Sequence, residues 1–172
     1  MKKVLFLFIC VCVMASADAQ VYVGGSISAW LDDNYGTETR TLEFLPEVGF
    51  SISESWAIGT VLGFSQKRVE STTTNETFEF SPYARLSYYR TDLVRLFIDG
   101  TVSAYSTKYG NSDTQTTIGI GFKPGVAFDF SKRVSLVAKF GFIGYRQYDD
   151  DHDALGIDLS GNNLSLGFFY TF

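Results

Sequence analysis

The last ten residues of the chain, Asn163 to Phe172, alternate between two kinds of side chain. One face of this segment would carry Leu164, Leu166, Phe168, Tyr170 and the terminal Phe172, and the other Asn163, Ser165, Gly167, Phe169 and Thr171. A two-residue period predicts a β-strand. An unpaired strand with such an apolar face would aggregate in water. This strand therefore needs both a strand partner and an apolar environment.

The opposite end of the chain has the pattern of a secretory signal peptide. Met1-Lys2-Lys3 is basic, residues 4–14 are apolar, and Ala17-Asp18-Ala19 provides small residues for cleavage after Ala19. The apolar run is about half the ~20 residues that a transmembrane helix needs. We therefore predict a signal peptide at residues 1–19 and a mature domain at residues 20–172. The two cysteines, Cys10 and Cys12, lie in the signal, so disulfides and Cys-ligated metals are excluded from the mature domain.

The composition favours β-structure and limits the classes of partner. Aromatic residues make up 16% of the chain, which has 16 glycines and only 3 prolines. The formal net charge of -5 argues against nucleic acid as a partner. After Gln20 no apolar segment approaches ~18 residues, which excludes a helical membrane protein.

Eight segments of the mature chain are predicted strands. They are residues 21–31, 41–52, 56–67, 77–89, 94–107, 116–130, 134–145 and 163–172. Nearly all reach the ~9 to 11 residues with which a tilted strand crosses a bilayer. Tight turns at 53–55, 91–93 and 131–133 alternate with polar loops at 32–40, 68–76, 108–115 and 147–162. Short connections on one side and long ones on the other indicate an up-and-down barrel.

The position of the charged residues distinguishes a membrane barrel from a soluble one. Bulky apolar residues share one face of the predicted strands, whereas the opposite face carries small, polar and charged residues. That second face holds Glu43, Glu47, Glu79, Asp99, Asp129, Arg85, Arg95, Lys123 and Lys139. A lipocalin would place the bulky set inside and the charges outside. The balanced charges instead suit the packed interior of a barrel that faces lipid, so the predicted fold class is all-β, an eight-stranded antiparallel up-and-down transmembrane β-barrel.

Hairpin geometry predicts which inward charges meet. We assume that the turns centre on residues 54, 92 and 132 and the loops near 73 and 112. The numbers of two residues that face each other in a hairpin then add up to twice the number of the central residue. The resulting row is Glu47, Val61, Arg85, Asp99, Gly125 and Lys139. In it Arg85 faces Asp99, and Gly125 leaves room for Lys139 to reach Asp99. The predicted lumen charge network, Glu47, Arg85, Asp99, Lys139 and Lys123, would plug the barrel, because an unpaired charge there would cost several kcal/mol.

A short pattern recurs in three predicted strands, where Phe stands two residues before Pro at Phe44, Phe80 and Phe122. Proline in a fully paired strand removes a ladder hydrogen bond, so each should lie at a bulge or a poorly paired position. The segment Pro46-Glu47-Val48-Gly49-Phe50, a short turn and Trp56-Ala57-Ile58-Gly59 resembles the hairpin of the outer-membrane β-barrel domain family of the OmpX/OmpA type. The resemblance extends over the whole mature chain.

This resemblance implies a place in the outer membrane of a Gram-negative bacterium. It implies outer-membrane lipid and the barrel-assembly machinery as partners. The terminal aromatic strand is similar to the signal that this machinery reads, which assigns Phe168, Tyr170 and Phe172 to the assembly signal. The family has no common catalytic residues, so the resemblance implies none here.

Candidate chemistry in the sequence is sparse. His152, the only histidine, lies in an acidic run at residues 149–153 that could hold Ca²⁺, although a solvated acidic loop is favoured. An acyl hydrolase would need a base beside a nucleophile, and Ser160 is the serine nearest to His152. The predicted function is a non-enzymatic barrel, without cofactor, in a structural role or binding a surface ligand through its loops. The alternatives are a small pore, disfavoured because eight strands leave little interior space, and a lipid-modifying enzyme.

Overall fold

The computed structural model describes residues 20–34, 37–69, 72–110, 114–149, 152–158 and 164–172. The predicted signal peptide and Ser160 lie outside these ranges. The ten strand segments are β1 (Val21–Asn34), β2 (Thr37–Ser51), β3 (Trp56–Val69), β4 (Thr72–Arg90), β5 (Val94–Tyr109), β6 (Thr114–Asp129), β7 (Val134–Lys139), β8 (Phe142–Asp149), β9 (His152–Asp158) and β10 (Ser165–Thr171). No helix in the described part of the chain is long and apolar enough to cross a membrane.

The strand segments close into one antiparallel barrel of eight strands, which confirms the predicted fold class. Each strand from β1 to β6 pairs with the next. The seventh barrel strand consists of β7 and β8, which both pair with β6. The eighth consists of β9, which pairs with β8, and β10, which pairs with β7. Pairing of β10 with β1, from Tyr22↔Thr171 to Ser26↔Gly167, closes the barrel.

Gln20 and Phe172, the first and last described residues, lie at the same end of the barrel as the tight turns, which we call the lower end. The Phe172 N–H donates to the Val21 carbonyl at 2.9 Å, and the Thr171 N–H donates to the Arg133 carbonyl at 2.8 Å. The Ser51 N–H donates to the Gln20 carbonyl at 2.9 Å. These bonds place the termini beside the turns that follow β2 and β6.

The opposite, upper end differs from the prediction, because strands continue into the segments predicted to be loops. The chain is extended up to Asn34 and again from Thr37, and on either side of residues 70–71. The strand β5 runs to Tyr109, and β6 begins at Thr114. Most of the predicted loop 147–162 belongs to the β8–β9 hairpin, in which Asp149 pairs with His152. Polar residues such as threonine suit strands as well as loops, so their polarity marked the end of the apolar face and not the end of the strand.

The three prolines lie where a strand ladder is interrupted. The β2–β3 ladder has no paired residues between Phe44↔Phe64 and Glu47↔Val61, which spans Pro46. The β4–β5 ladder is likewise interrupted at Pro82, whose carbonyl accepts a hydrogen bond from Thr101 Oγ1 at 3.2 Å. Proline therefore occupies positions where a ladder donor is not needed.

Pro124 lies opposite a bulge in the seventh barrel strand. Gly125 pairs with Lys139, but three residues earlier Phe122 pairs with Ile143, so β7 and β8 together hold one extra residue. Gly141 adopts φ 73°, which favours glycine, and the Phe140 N–H donates to the Pro124 carbonyl at 3.0 Å. This bulge separates β7 from β8.

Burial separates the two faces as predicted. Bulky side chains such as Leu62, Phe80 and Phe122 are exposed on the outside. The interior holds a cluster of buried side chains made of Tyr22, Ala57, Tyr83, Phe97, Ala127, Val137 and Phe169. The buried charged residues of the described part, Glu47, Arg85 and Asp99, also lie inside.

Candidate functional site: the lumen of the barrel

Arg85 is the centre of the interior and is only 3% exposed. The register pairs it with Asp99 across β4 and β5. The guanidinium binds this carboxylate through two nitrogens, with Nε 2.7 Å from Oδ1 and Nη2 2.8 Å from Oδ2. Paired N–H···O bonds of this kind are the strong form of an ion pair. The same Nη2 also donates to Glu47 Oε1 at 3.0 Å.

Lys139 joins both carboxylates from β7. Its Nζ lies 2.6 Å from Glu47 Oε2 and 3.3 Å from Asp99 Oδ2. We call Glu47, Arg85, Asp99 and Lys139 the lumen cluster. Its two cations balance its two anions, which is how charges so deeply buried are tolerated.

Aromatic side chains surround the lumen cluster. The Arg85 Cζ lies 4.1 Å from the ring centroid of Phe97 and 5.0 Å from that of Tyr83. The Tyr83 hydroxyl donates to Glu47 Oε1, and the Tyr22 hydroxyl lies 2.6 Å from the Tyr83 hydroxyl. Since the Tyr83 hydroxyl donates its hydrogen bond to the carboxylate, its oxygen accepts a hydrogen bond from the Tyr22 hydroxyl. The stacked rings and the relay of hydroxyls hold the guanidinium in place.

The predicted row agrees with the structure across the tight turns and differs across the long connections. Glu47↔Val61, Arg85↔Asp99 and Gly125↔Lys139 are paired. Val61 pairs with Ser81 and not with Arg85, and Asp99 pairs with Lys123 and not with Gly125. The assumed loop centres were therefore wrong, because the pairs Val61↔Ser81 and Asp99↔Lys123 centre on residues 71 and 111 and not on 73 and 112.

Gly125 also serves a purpose other than the predicted one. A Cβ at this position would lie 2.3 Å from Phe97 Cζ, so the missing side chain leaves room for the Phe97 ring. Gly125 is opposite Phe97 in the β5–β6 ladder. Space for Lys139 was the predicted role; the structure shows in addition that the Phe97 ring, which packs on Arg85, occupies the space that a Cβ at position 125 would need.

Lys123 lies apart from the lumen cluster. Although it pairs with Asp99 in the ladder, its Nζ is 3.8 Å from Glu79 Oε1, and Glu79 accepts a hydrogen bond from Ser81 Oγ. A separate pair lies nearer the lower end, where Arg95 Nη2 is 3.3 Å from Asp129 Oδ1 and Ser135 donates to the same oxygen at 2.6 Å. Among the described residues, the salt bridges of the interior thus form three groups at different heights.

A cavity of about 400 Å³ lies above the lumen cluster. Glu47, Tyr83, Asp99 and Lys139 form its floor. Its wall includes Glu43, Glu79, Lys123, Arg146, Tyr105, Tyr109, Tyr148 and Phe142. Polar and aromatic groups facing one space are the features of a small-molecule site.

The remaining predicted site residues lie on the outside or beyond the described side chains. Phe168, Tyr170 and Phe172 face outward and are 67%, 40% and 73% exposed. The rings of Tyr170 and Phe172 meet edge to face with centroids 5.0 Å apart. His152 begins β9, but its side chain, like Asp150 and Asp151, lies outside the described part.

Sequence reasoning missed the aromatic part of the interior. Tyr22, Phe97 and Phe169 are buried beside Arg85, but the same residue types also fill the outer face. The alternation of side chains along a strand could have identified them. Phe97 lies two residues from Asp99 and so shares its inward face, and Phe169 stands between the outward Phe168 and Tyr170. An aromatic residue on the charged face of a strand indicates a ring packed against those charges.

Comparison with known proteins identifies the family. Residues 4–172 match the family described as outer membrane protein beta-barrel domain. The chain belongs to this outer-membrane β-barrel family. Its predicted location in the outer membrane is thereby confirmed, as is the resemblance on which that prediction rested. A comparison with curated protein sequences found no match.

Two solved structures of outer-membrane barrels share this fold. Neisserial surface protein A is 14% identical with a TM-score of 0.53, and the alignment covers 91% of this chain and 98% of that one. The outer membrane protein Ail of Yersinia pestis is 16% identical with a TM-score of 0.51, and the alignment covers 90% and 98% of the two chains. At such low identity the likeness concerns the fold alone.

Proposed function

We propose that this protein is a non-enzymatic outer-membrane barrel with a lumen closed by the lumen cluster, and that it serves a structural or surface-binding role. The observation that carries the proposal is the bidentate Arg85–Asp99 pair with Glu47 and Lys139 bound to the same groups. These four side chains come from β2, β4, β5 and β7, so they span the interior from several sides. Eight-stranded barrels have an interior that side chains can fill.

The rings around the lumen cluster support the same proposal. Tyr22 and Phe169 come from the closing pair of strands, β1 and β10, and their centroids are 6.0 Å apart. Phe97 packs on Arg85 from β5, with its ring centroid 4.1 Å from the Arg85 Cζ, and is fully buried. Together with the charges, these side chains would close the lumen below the cavity.

In the proposed orientation the lower end faces the periplasm and the upper end faces the exterior. An even number of barrel strands places both termini on one side, and short turns belong to the periplasmic side of this kind of barrel. The polar strand ends around Thr74, Lys108 and Thr114 would then project from the cell surface. Such hydrogen-bonding surfaces are available to an external partner.

Planar-bilayer conductance tests whether the lumen is closed. The purified wild-type barrel should show no steady ion current. The double variant Arg85→Ala with Asp99→Ala should conduct, because it removes the central ion pair that fills the lumen. Glu47 and Lys139 remain, so the net charge of the lumen cluster is unchanged. The matched control, Glu54→Ala with Lys132→Ala, removes one charge of each sign from exposed turns and should stay closed. A steady current through the wild type would contradict the proposal.

Lipid-modifying activity is the enzymatic alternative, and it can be tested directly. The purified barrel should release no fatty acid from phospholipid vesicles. Substitution of His152 or Ser160 by alanine should therefore leave the assay at background. Release by the wild type that both substitutions abolish would replace the proposed function with a hydrolase.

A further inference from the structure

Arg146 enters the cavity from β8 and rests on the ring of Phe142. Its Cζ lies 4.3 Å from the ring centroid, a distance at which a guanidinium stacks on an aromatic face. Among the described residues, no carboxylate forms a salt bridge with Arg146, whereas Arg85 and Lys139 below it each bind two. Within the part of the chain that the structure describes, the N–H groups at the edge of this guanidinium therefore face the cavity without a carboxylate partner.

The Phe142 ring, on which Arg146 stacks, lies in space left by two glycines. A Cβ at Gly121 would lie 2.7 Å from Phe142 Cζ, and one at Gly144 would lie 3.0 Å from the same atom. Phe142 thus lies against the backbone of β6 and β8, where a larger residue would displace its ring. Because the ring is confined, the stacked guanidinium has a fixed place before any ligand arrives, which lowers the ordering cost of binding.

Lys123 provides a second cation on the β6 side of the cavity. Its Nζ is 3.8 Å from Glu79 Oε1, which is beyond hydrogen-bond reach. By contrast, the Nζ of Lys139 in the floor lies 2.6 Å from its carboxylate partner. The Lys123 ammonium therefore keeps donors free for a further acceptor. Lys123 and Arg146 thus place two cations with unused donors on the neighbouring strands β6 and β8.

We propose that this cavity binds a compact oxyanion, a phosphate monoester or a carboxylate, between Arg146 and Lys123. A guanidinium can donate two parallel hydrogen bonds to such a group, and the ammonium adds a mobile point charge. The cavity volume of about 400 Å³ admits a ligand of the size of a small phosphorylated polyol. Tyr105 and Tyr109 line the same space and would face its hydroxyl groups. The phosphate could belong to a soluble molecule or to a lipid headgroup.

Calorimetric titration of the purified barrel with glycerol 3-phosphate, in phosphate-free buffer, tests the site. The wild type should bind this probe, and uncharged glycerol should give no heat. Arg146→Gln should weaken binding at least about tenfold, since it removes the charged hydrogen bonds of the guanidinium. Arg146→Lys keeps the positive charge but loses the two parallel donors of the guanidinium, so its affinity should lie between those of the wild type and Arg146→Gln. Lys123→Gln should weaken binding by a smaller factor than Arg146→Gln.

The control variant is Arg133→Gln, which removes an exposed cation from a lower-end turn and should leave the affinity unchanged. Circular dichroism and the heat-dependent gel shift of a folded barrel should be the same for all four variants, so lost binding would not reflect lost folding. No binding by the wild type, or equal weakening by Arg146→Gln and Arg133→Gln, would overturn the proposal.

Nanodiscs distinguish the two sources of the phosphate. In discs of phosphatidylcholine alone, the probe should bind as it does in detergent if the ligand is a soluble molecule. Weaker probe binding in discs that also contain phosphatidic acid would identify the lipid headgroup as a competitor for Arg146. This competition should disappear in Arg146→Lys if the headgroup uses the guanidinium fork. Absence of probe binding in both kinds of disc would overturn the site.

Discussion

Asp99 neutralises two cations at once, and it is 2% exposed. It holds Arg85 through two bonds and lies 3.3 Å from Lys139. Glu47 cannot replace it, because its two oxygens are already bound to Arg85, Tyr83 and Lys139. The charge balance of the lumen therefore depends on each carboxylate separately.

Asp99→Ala should destabilise the barrel by about 3 to 5 kcal/mol, because it leaves the buried cations of Arg85 and Lys139 to share the single carboxylate of Glu47. Arg85→Ala with Asp99→Ala should cost less than the two single substitutions added together, since the double variant removes both members of the pair. Urea unfolding in lipid vesicles, followed by tryptophan fluorescence, measures these values. The exposed-turn variant Asp92→Ala serves as the control. A coupling energy below about 0.5 kcal/mol would show that the pair is not energetically linked.

Gly125 is a second position where one residue controls the lumen cluster. Gly125→Ala should destabilise the barrel by about 1 to 3 kcal/mol, because the new Cβ would force the Phe97 ring away from Arg85. Gly156→Ala is the matched control, since a Cβ there meets nothing within 4 Å. The same unfolding experiment compares the two. Equal stability of both variants would mean that Phe97 moves without cost.

The terminal strand β10 shows how one element combines two requirements. Its inward Phe169 packs beside Tyr22, whereas its outward aromatics face lipid and pair with nothing inside. The closing ladder with β1 depends on backbone hydrogen bonds, which continue to the Phe172 N–H. The outer side chains are thus free to serve recognition during assembly.

Phe172→Ala should lower insertion in cells more than it lowers stability. The ring is 73% exposed and contacts Tyr170, so its loss should cost no more than ~2 kcal/mol of apolar burial in lipid. Quantification in outer-membrane fractions, beside refolding yields in detergent, separates the two effects. Phe130→Ala, which removes an exposed phenylalanine next to a turn, is the control. Equal loss in cells and in detergent would argue against an assembly role.

At the scale of the whole molecule, the barrel has two different ends. At the lower end, backbone hydrogen bonds join the short turns to the first and last strands. At the upper end, the strands extend into the polar segments that were predicted to be loops. The mature chain has no cysteine if the predicted signal peptide is removed, so single cysteines can report which end faces the medium.

Thr74→Cys, at the upper end, should react with a membrane-impermeant maleimide added to intact cells. Ser131→Cys, in a lower-end turn, should react only after the outer membrane is opened, because that turn is proposed to face the periplasm. Both positions are exposed, so their chemical accessibility is comparable. Labelling of Ser131→Cys in intact cells would reverse the proposed orientation.

The sequence by itself was sufficient to predict the number of barrel strands and which face of each strand points to lipid or to the lumen. Alternation in segments such as Trp56 to Phe64 assigned each side chain to lipid or lumen, because strand geometry has a period of two. Tight turns also gave the local register, since a turn of a few residues leaves little freedom in where its strands pair. Glu47↔Val61, Arg85↔Asp99 and Gly125↔Lys139 follow from this.

Only the tertiary structure decided the pairings across the long connections and the contacts across the lumen. A strand that slips by two residues keeps every side chain on its face, so the pattern could not distinguish Val61↔Ser81 from Val61↔Arg85. Lys139 and Glu47 are 92 residues apart and lie on strands that are not neighbours. Their contact, like the place of Lys123 beside Glu79, depends on how the closed barrel brings long side chains together in its interior.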